Sequence, residues 1–370
     1  MKEYAMISIL LLLLTLFASP ADVKTVNPDK PLNGAWDFKL EKTWTIDKAG
    51  KDALAAPAIV VSDDGTVCVR DWKNRSYYLF NSSGAFKKAF GKPGEGPGEI
   101  RWHALPSFAI HNTFIAADMD RLHFFNHEGV FIKSIPHMFP GREPLLFIDE
   151  DQLIAAPLFN FPEGKGNIYL CNLKTTEKKS IREFTVDSHE NRRGPVPHLF
   201  GLSPMPVVGY DDADRKLYVG VNDSYVIYVV DLKGNILNTF SLDRKKREIS
   251  VEALKKQLDA IDPGGPNSET VKLLPRELTH FRKIQIINGL VYVFQDNFGI
   301  NWDNQQIDIF SPEGKYLYRS VIKPDNGSHI YFSPNNFLIK NGHMYAVLED
   351  AEGEIVIVKY KITLPEELSR

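Results

Sequence analysis

The chain has 370 residues, 43% hydrophobic and 25% charged, with a formal charge of −3 and a pI near 6.4. That length and apolar content allow a large buried core. The slight acidity and the dispersed lysines and arginines exclude a nucleic-acid surface, and the one dense basic run, Arg244 to Arg247, is expected to be a solvated loop or the approach to a helix.

At the N-terminus, Lys2 is followed by an apolar stretch from Ala5 to Ala18 and then by Ser19-Pro20-Ala21. This pattern predicts a secretory signal peptide over residues 1–21, cleaved after Ala21, with residues 22–370 as the mature chain. The apolar run falls short of the roughly 20 residues of a membrane span, so membrane attachment is expected only if the segment stays uncleaved. No cysteine stands at the cleavage point, which argues against a lipoprotein. The expected location is secreted or periplasmic.

Next comes an alternating segment, WDFKLEKTWTI (Trp36 to Ile46), and then a recurring unit. GTVCVRDWKNRSYYLFNSSGAFKKAFG (from Gly65) and NTFIAADMDRLHFFNHEGVFIKSI (from Asn112) share one order. Each runs apolar strand, Asp, polar turn with Arg, aromatic-rich strand, Asn-x-x-Gly turn and third strand. The order returns from Lys216 and from Leu290, and more loosely from Gln152 and from His343. Each copy follows one more apolar run closed by a turn, such as PAIVVSDDG, PSFAIHN or KIQIING. Asp-Gly and Asn-Gly tolerate the positive φ of tight hairpins, so each unit reads as four antiparallel strands. Six such units at a spacing of about 40 to 50 residues predict an all-β, six-bladed β-propeller. The last unit lacks a fourth strand, and Trp36 to Ile46 is expected to supply it and close the ring without an open edge.

VRDWKNRSYYLFNSSGAFKKAFG resembles an NHL-type repeat at Asp71, Asn74, Arg75, Phe80, Gly84, Phe90 and Gly91, and the following GEGPGEI resembles a segment common in secreted six-bladed propellers of bacteria. The likeness weakens in the third unit, where Pro157 replaces the strand-ending Asp. It implies an exported propeller and says little about function.

The glycine-rich stretch GKPGEGPGEIRW (Gly91 to Trp102) invites a phosphate-loop reading, but no helix follows it. It is expected to carry the chain from the outer strand of blade 1 to the inner strand of blade 2. Cys68 and Cys171 sit in apolar runs of non-neighbouring units and are expected to be buried and unbridged.

Antiparallel order puts two classes of loop on one face: those joining successive blades, and those joining the second and third strands of a blade. The long segments belong to these classes, so this face is the candidate functional surface. The residues singled out on it as ligand-binding candidates are Glu99, Arg101, Trp102, His103, Arg142, Arg193, His198, His280, Arg282, Trp302 and His329. His137, His189, Arg192, Arg276, Phe159, Phe161 and Phe298 share the same loops. Between blades 4 and 5, at about 244–280, SVEALKKQLDAI predicts a helix capped by Ser250 with Val251, Leu254, Leu258 and Ile261 on one face, and a second short helix from about Ser268 to Leu274. This insertion is expected to act as a lid or a docking element, or to pack on the side of a blade.

No Gly-x-Ser-x-Gly elbow, zincin helix or Cys/His metal pattern is present, so no metal and no cofactor are expected. The favoured function is a binding scaffold for a protein, peptide or glycan, without chemistry. The alternative is a hydrolase or lyase at the channel mouth, metal-dependent or not, using Asp118, Asp296, Glu99, His103, His198 or His280 on a glycan or small molecule.

Overall fold

A computed structural model describes residues 24–103, 107–136, 143–157, 165–186, 202, 204–261, 271–272, 274, 276–296, 304–324, 328–330 and 336–363. Six antiparallel sheets follow one another along the chain. Blade 1 spans Pro57–Phe90, blade 2 Ser107–Pro136, blade 3 Glu143–Thr185, blade 4 Pro206–Asp243, blade 5 Phe281–Ile322 and blade 6 His329–Thr363. The second strand of blade 2, Thr113–Ala117, is buried at every position, because each of its two faces packs on a different neighbouring blade. That two-sided burial explains why such strands read as continuous apolar runs.

The core is divided into one cluster per blade junction. Cys68, Leu79, Ile100 and Phe125 fill the junction of blades 1 and 2, and Ile115, Phe124, Leu153 and Cys171 that of blades 2 and 3. Equivalent clusters lie between blades 3 and 4, 4 and 5, and 5 and 6. A sixth joins Tyr345, Val347 and Ile357 of blade 6 to Val67, Val69 and Phe80 of blade 1, so the ring is closed. The two cysteines are buried, free and in blades 1 and 3.

Closure occurs as expected: Lys39–Ile46 pairs antiparallel with Ile355–Thr363 as the outer strand of blade 6. The segment before it does more than the sequence suggests. Lys24–Pro28 pairs in parallel with the outer strand of blade 4, Ile236–Asp243. Asn33 and Trp36 then donate backbone hydrogen bonds to Leu317 and Arg319 of blade 5. Asn27 fixes this strap, its amide donating to Ser241 O (3.0 Å) and Gly314 O (2.8 Å) while its oxygen accepts from Tyr316 N (2.9 Å).

The short turns follow one rule. Asn81 Oδ1 accepts from the N–H groups of Ser83 and Ala85, Asn126 Oδ1 from Glu128 and Val130, and Asp231 Oδ1 from Lys233 and Asn235. Each side chain replaces a backbone acceptor in a turn whose glycine, Gly84, Gly129 or Gly234, takes positive φ. The predicted helix, α1, runs Val251–Ile261, and Ser250 Oγ caps it by accepting from Ala253 N (3.1 Å). Leu254 and Leu258 bury in a small core of their own with Leu202, Ile249, Val271 and Leu278. The predicted second helix falls largely outside the described residues.

Candidate functional site

Contacts confirm that the inter-blade connectors share a face with the loops between second and third strands. In blades 1, 2, 4 and 5 the device that joins them is the polar residue at the end of the second strand. Asp71 accepts from the backbone N–H groups of Ala55 (2.8 Å) and Ala56 (3.1 Å), just ahead of the first strand of its own blade. Asp118 accepts from Arg101 N (3.0 Å) and Trp102 N (3.1 Å), Asn222 from Met205 N (2.8 Å), and Asp296 from the Thr279 hydroxyl (3.0 Å). The repeated Asp is therefore a clamp on the incoming connector. This gives Asp118 and Asp296, considered above as acids or bases, a structural task in the first place.

At the junction of blades 1 and 2 the clamp sets out an exposed surface. Trp102 N and Met119 N both donate to Asp118 Oδ1 (3.1 and 2.8 Å), so these residues stand side by side, with their side chains 50% and 64% exposed. Trp72, in the neighbouring loop of blade 1, is 49% exposed. Arg101, next to Trp102 in the chain, pairs with Asp120 and lies 3.6 Å from Asp118 Oδ2. Burial opposes ionisation of Asp118, but N–H bonds from Arg101 and Met119 and the Arg101 charge outweigh it and hold its pKa below the usual range.

The other candidates on this connector face inward. Glu99 accepts from Gly96 N (2.9 Å) and pairs with Lys92 (3.0 Å), bracing the glycine-rich loop. His103 is buried, donates from Nε2 to Gly91 O (2.7 Å) and lies against Tyr77, and burial holds its pKa below the ordinary imidazole range. The glycine-rich stretch thus closes on itself from Gly91 to His103, and the expectation of a crossover rather than a phosphate loop holds.

One residue behind this surface escaped sequence reasoning. His123, 3% exposed, receives the Ser134 hydroxyl at Nδ1 (3.0 Å) and points Nε2 at Asp118 Oδ2 (3.5 Å). Strand register could have found the first contact: counting outward from the Asn126 turn places His123 opposite Ser134.

A second polar concentration lies between blades 4 and 5. Arg244, expected in a solvated run, has a side chain only 9% exposed and donates to the fully buried Asp308 (2.6 and 3.0 Å) and to Asp29 of the strap (2.7 and 2.9 Å). Tyr225 (2.7 Å), Gln295 (2.8 Å) and Tyr316 donate to Asp308 as well. Lys246 pairs with Asp223, and Arg247 is half-buried. Arg244 is not solvated because two acids and two phenols enclose it, whereas Lys245 is exposed, and the run is the approach to α1. Beside it, His280 packs edge-on to Tyr225, and burial, with Lys246 and Arg244 nearby, pushes its pKa down to about 4. Arg282 donates to Gln305 Oε1 (2.6 Å) and Arg276 to Ile249 O (3.0 Å).

His329 is exposed in the short strand His329–Ile330 on blade 6. Arg142, Arg193, His198 and Trp302 lie outside the described residues, as do His137, His189, Arg192, Phe159, Phe161 and Phe298. The described candidates therefore fall into separate groups: Glu99 to His103 at one junction, His280 and Arg282 at another, and His329 on blade 6. A cleft of about 1030 Å³ also opens between blades 3 and 4, where Arg182 stacks 3.6 Å over the Tyr228 ring. Among the described residues, no group of three or more His, Cys, Asp or Glu side chains is placed to hold a metal ion. No described helix is long and apolar enough to cross a membrane.

No family model matches the chain, and no curated protein matches it. Among solved structures, it is similar to a member of the DUF4221 family from Bacteroides vulgatus, with TM-score 0.52 and 12% identity over 89% of this chain and 99% of that one. It is also similar to a candidate exported protein from Bacteroides fragilis, with TM-score 0.52 and 14% identity over 92% of this chain and 100% of that one. At such identities the likeness establishes the shared fold alone.

Proposed function

We propose that this six-bladed propeller is an exported binding scaffold that seats a glycan on its long-connector face, at the junction of blades 1 and 2. The observation that carries this reading is Trp102, half exposed beside Met119 and next in the chain to the ion-paired Arg101. A pyranose ring has an apolar C–H face and a rim of hydroxyls. An exposed indole offers a surface for the first, and the neighbouring Arg101 and Asp120 offer hydrogen-bonding groups for the second. Because Asp118 holds the backbone of both Trp102 and Met119, the platform is preorganised and loses little freedom on binding. The apolar N-terminus and the likeness to a candidate exported protein support export. The agreement of Asp71, Asn74 and the Gly84 turn with an NHL-type repeat supports kinship with that group.

Glycan and peptide arrays probed with the mature chain test the reading. A glycan hit that weakens at least about tenfold in Trp102→Ala, roughly 1.4 kcal/mol, supports it. Binding confined to peptides, or glycan binding indifferent to Trp102, overturns it. A hydrolytic second reading is favoured by one observation, the contact of His123 with Ser134.

A further inference from the structure

We infer that Ser134, His123 and Asp118 form a serine-nucleophile relay capable of acyl-ester hydrolysis, set in the junction of blades 1 and 2 behind the Trp102 connector. The three residues come from three different parts of blade 2: the loop after its second strand, its third strand and its outer strand. Ser134 Oγ lies 3.0 Å from His123 Nδ1, and His123 Nε2 lies 3.5 Å from Asp118 Oδ2. Only one neutral tautomer suits both neighbours. A carboxylate accepts, so Nε2 carries the proton facing Asp118, and Nδ1 is left as acceptor for the serine hydroxyl. That is the arrangement a general base needs, with the orienting acid on the far side of the ring. The Nε2 to Oδ2 distance is long for a hydrogen bond, as is common before substrate is bound.

The surroundings fit this role better than a packing role. A buried histidine is ordinarily hydrogen-bonded on both sides, yet His123 Nε2 is buried and makes no hydrogen bond in the ground state. Asp118 is kept ionised by the connector's N–H groups, so it can stabilise an imidazolium as it forms. Burial holds the imidazole below its ordinary range, with Asp118 opposing, so the ring is neutral and basic at pH 7. Ser134 itself is half-buried on the outer strand rather than sealed in the core.

The chemistry closes on itself. Ser134 Oγ attacks the ester carbonyl carbon as its proton passes to His123 Nδ1. The tetrahedral adduct expels the alcohol, which takes that proton, leaving an acyl-serine. Water then repeats the steps, the serine regains its hydrogen and a carboxylic acid departs. An ester is the simplest substrate for the relay, since an alkoxide leaves more readily than an amine. Ser134 and His123 are the catalytic residues in this assignment, and Asp118 is a positioning residue. The inference does not depend on glycan binding, although an O-acylated sugar would satisfy both.

The test uses the full mature chain and a fluorophosphonate probe, followed by peptide mapping. One adduct is expected, on Ser134, absent in Ser134→Ala and formed at least about tenfold more slowly in His123→Gln. p-Nitrophenyl acetate turnover should fall with it. Asp118→Asn should move the pH–rate inflection to lower pH, since the charges facing His123 are Asp118, Asp120 and Arg121 of its own blade and Arg101 of the connector. A folded wild-type chain that takes no label at Ser134, or ester turnover that survives Ser134→Ala, overturns the relay. Either result leaves the Trp102 platform standing, because array binding is read separately.

Discussion

Replacing Asp308 by Asn tests whether the charge network between blades 4 and 5 holds the ring and its strap together. Asp308 is fully buried and accepts from Arg244, Tyr225, Gln295 and Tyr316. Arg244 donates to both carboxylate oxygens, so whichever way the new amide turns, its NH2 faces an Arg244 N–H and leaves it unsatisfied. Arg244, 9% exposed, would keep only Asp29, which is 38% exposed. Removing one partner of a buried pair costs about 3–5 kcal/mol, and the donor conflict places Asp308→Asn near the upper end. At about 2 °C per kcal/mol for a chain of this size, the melting midpoint should drop by roughly 8–10 °C. Asp29→Asn, in a half-exposed pair, should cost no more than about 1 kcal/mol. Urea unfolding followed by tryptophan fluorescence and by far-UV circular dichroism measures both. A loss below about 1 kcal/mol for Asp308→Asn, or equal losses for the two variants, would refute the reasoning.

Further outcomes follow from the same geometry. His280 is held at about 4 in the folded chain against about 6.5 unfolded, so the unfolded state gains the proton first. Stability should therefore be intact above about pH 6.5 and fall by up to about 3 kcal/mol as pH drops toward 4, and His280→Asn should flatten that decline in pH-dependent denaturation curves. Gly314 takes φ +83° and a Cβ there would meet Phe240 at 2.4 Å, whereas Gly289 at φ +76° has open space around it. Gly314→Ala should thus lower the urea midpoint clearly more than Gly289→Ala, which carries backbone strain alone. Deleting residues 22–33 should leave six blades with a lowered midpoint, while deletion through Ile46 should abolish cooperative unfolding by stripping blade 6 of its outer strand.

Blade number, turn positions and ring closure were legible because each rests on local chemistry. Asn81, Asn126 and Asp231 announce turns whatever lies around them, and the missing fourth strand of the last unit demanded Trp36 to Ile46. The strap was not legible, since KTVNP is short, polar in part and joined in parallel to a strand more than 200 residues away. Asp29 and Asp308 are also why Arg244 is withdrawn from solvent although its run leads into a helix as expected: a basic side chain looks solvated until its acid partners are known. Repeated Asp residues were visible as possible acids, and only their backbone partners reveal them as clamps. His123 and Ser134 were readable from hairpin register, but their approach to Asp118 depends on how one blade twists.

The strap also fixes an order of events. Residues 24–46 leave the ribosome before blades 4, 5 and 6, in which their partners lie. The growing chain therefore stays open until almost its whole length has been made. The circle can snap shut only then, so the topology itself delays maturation until synthesis is nearly done.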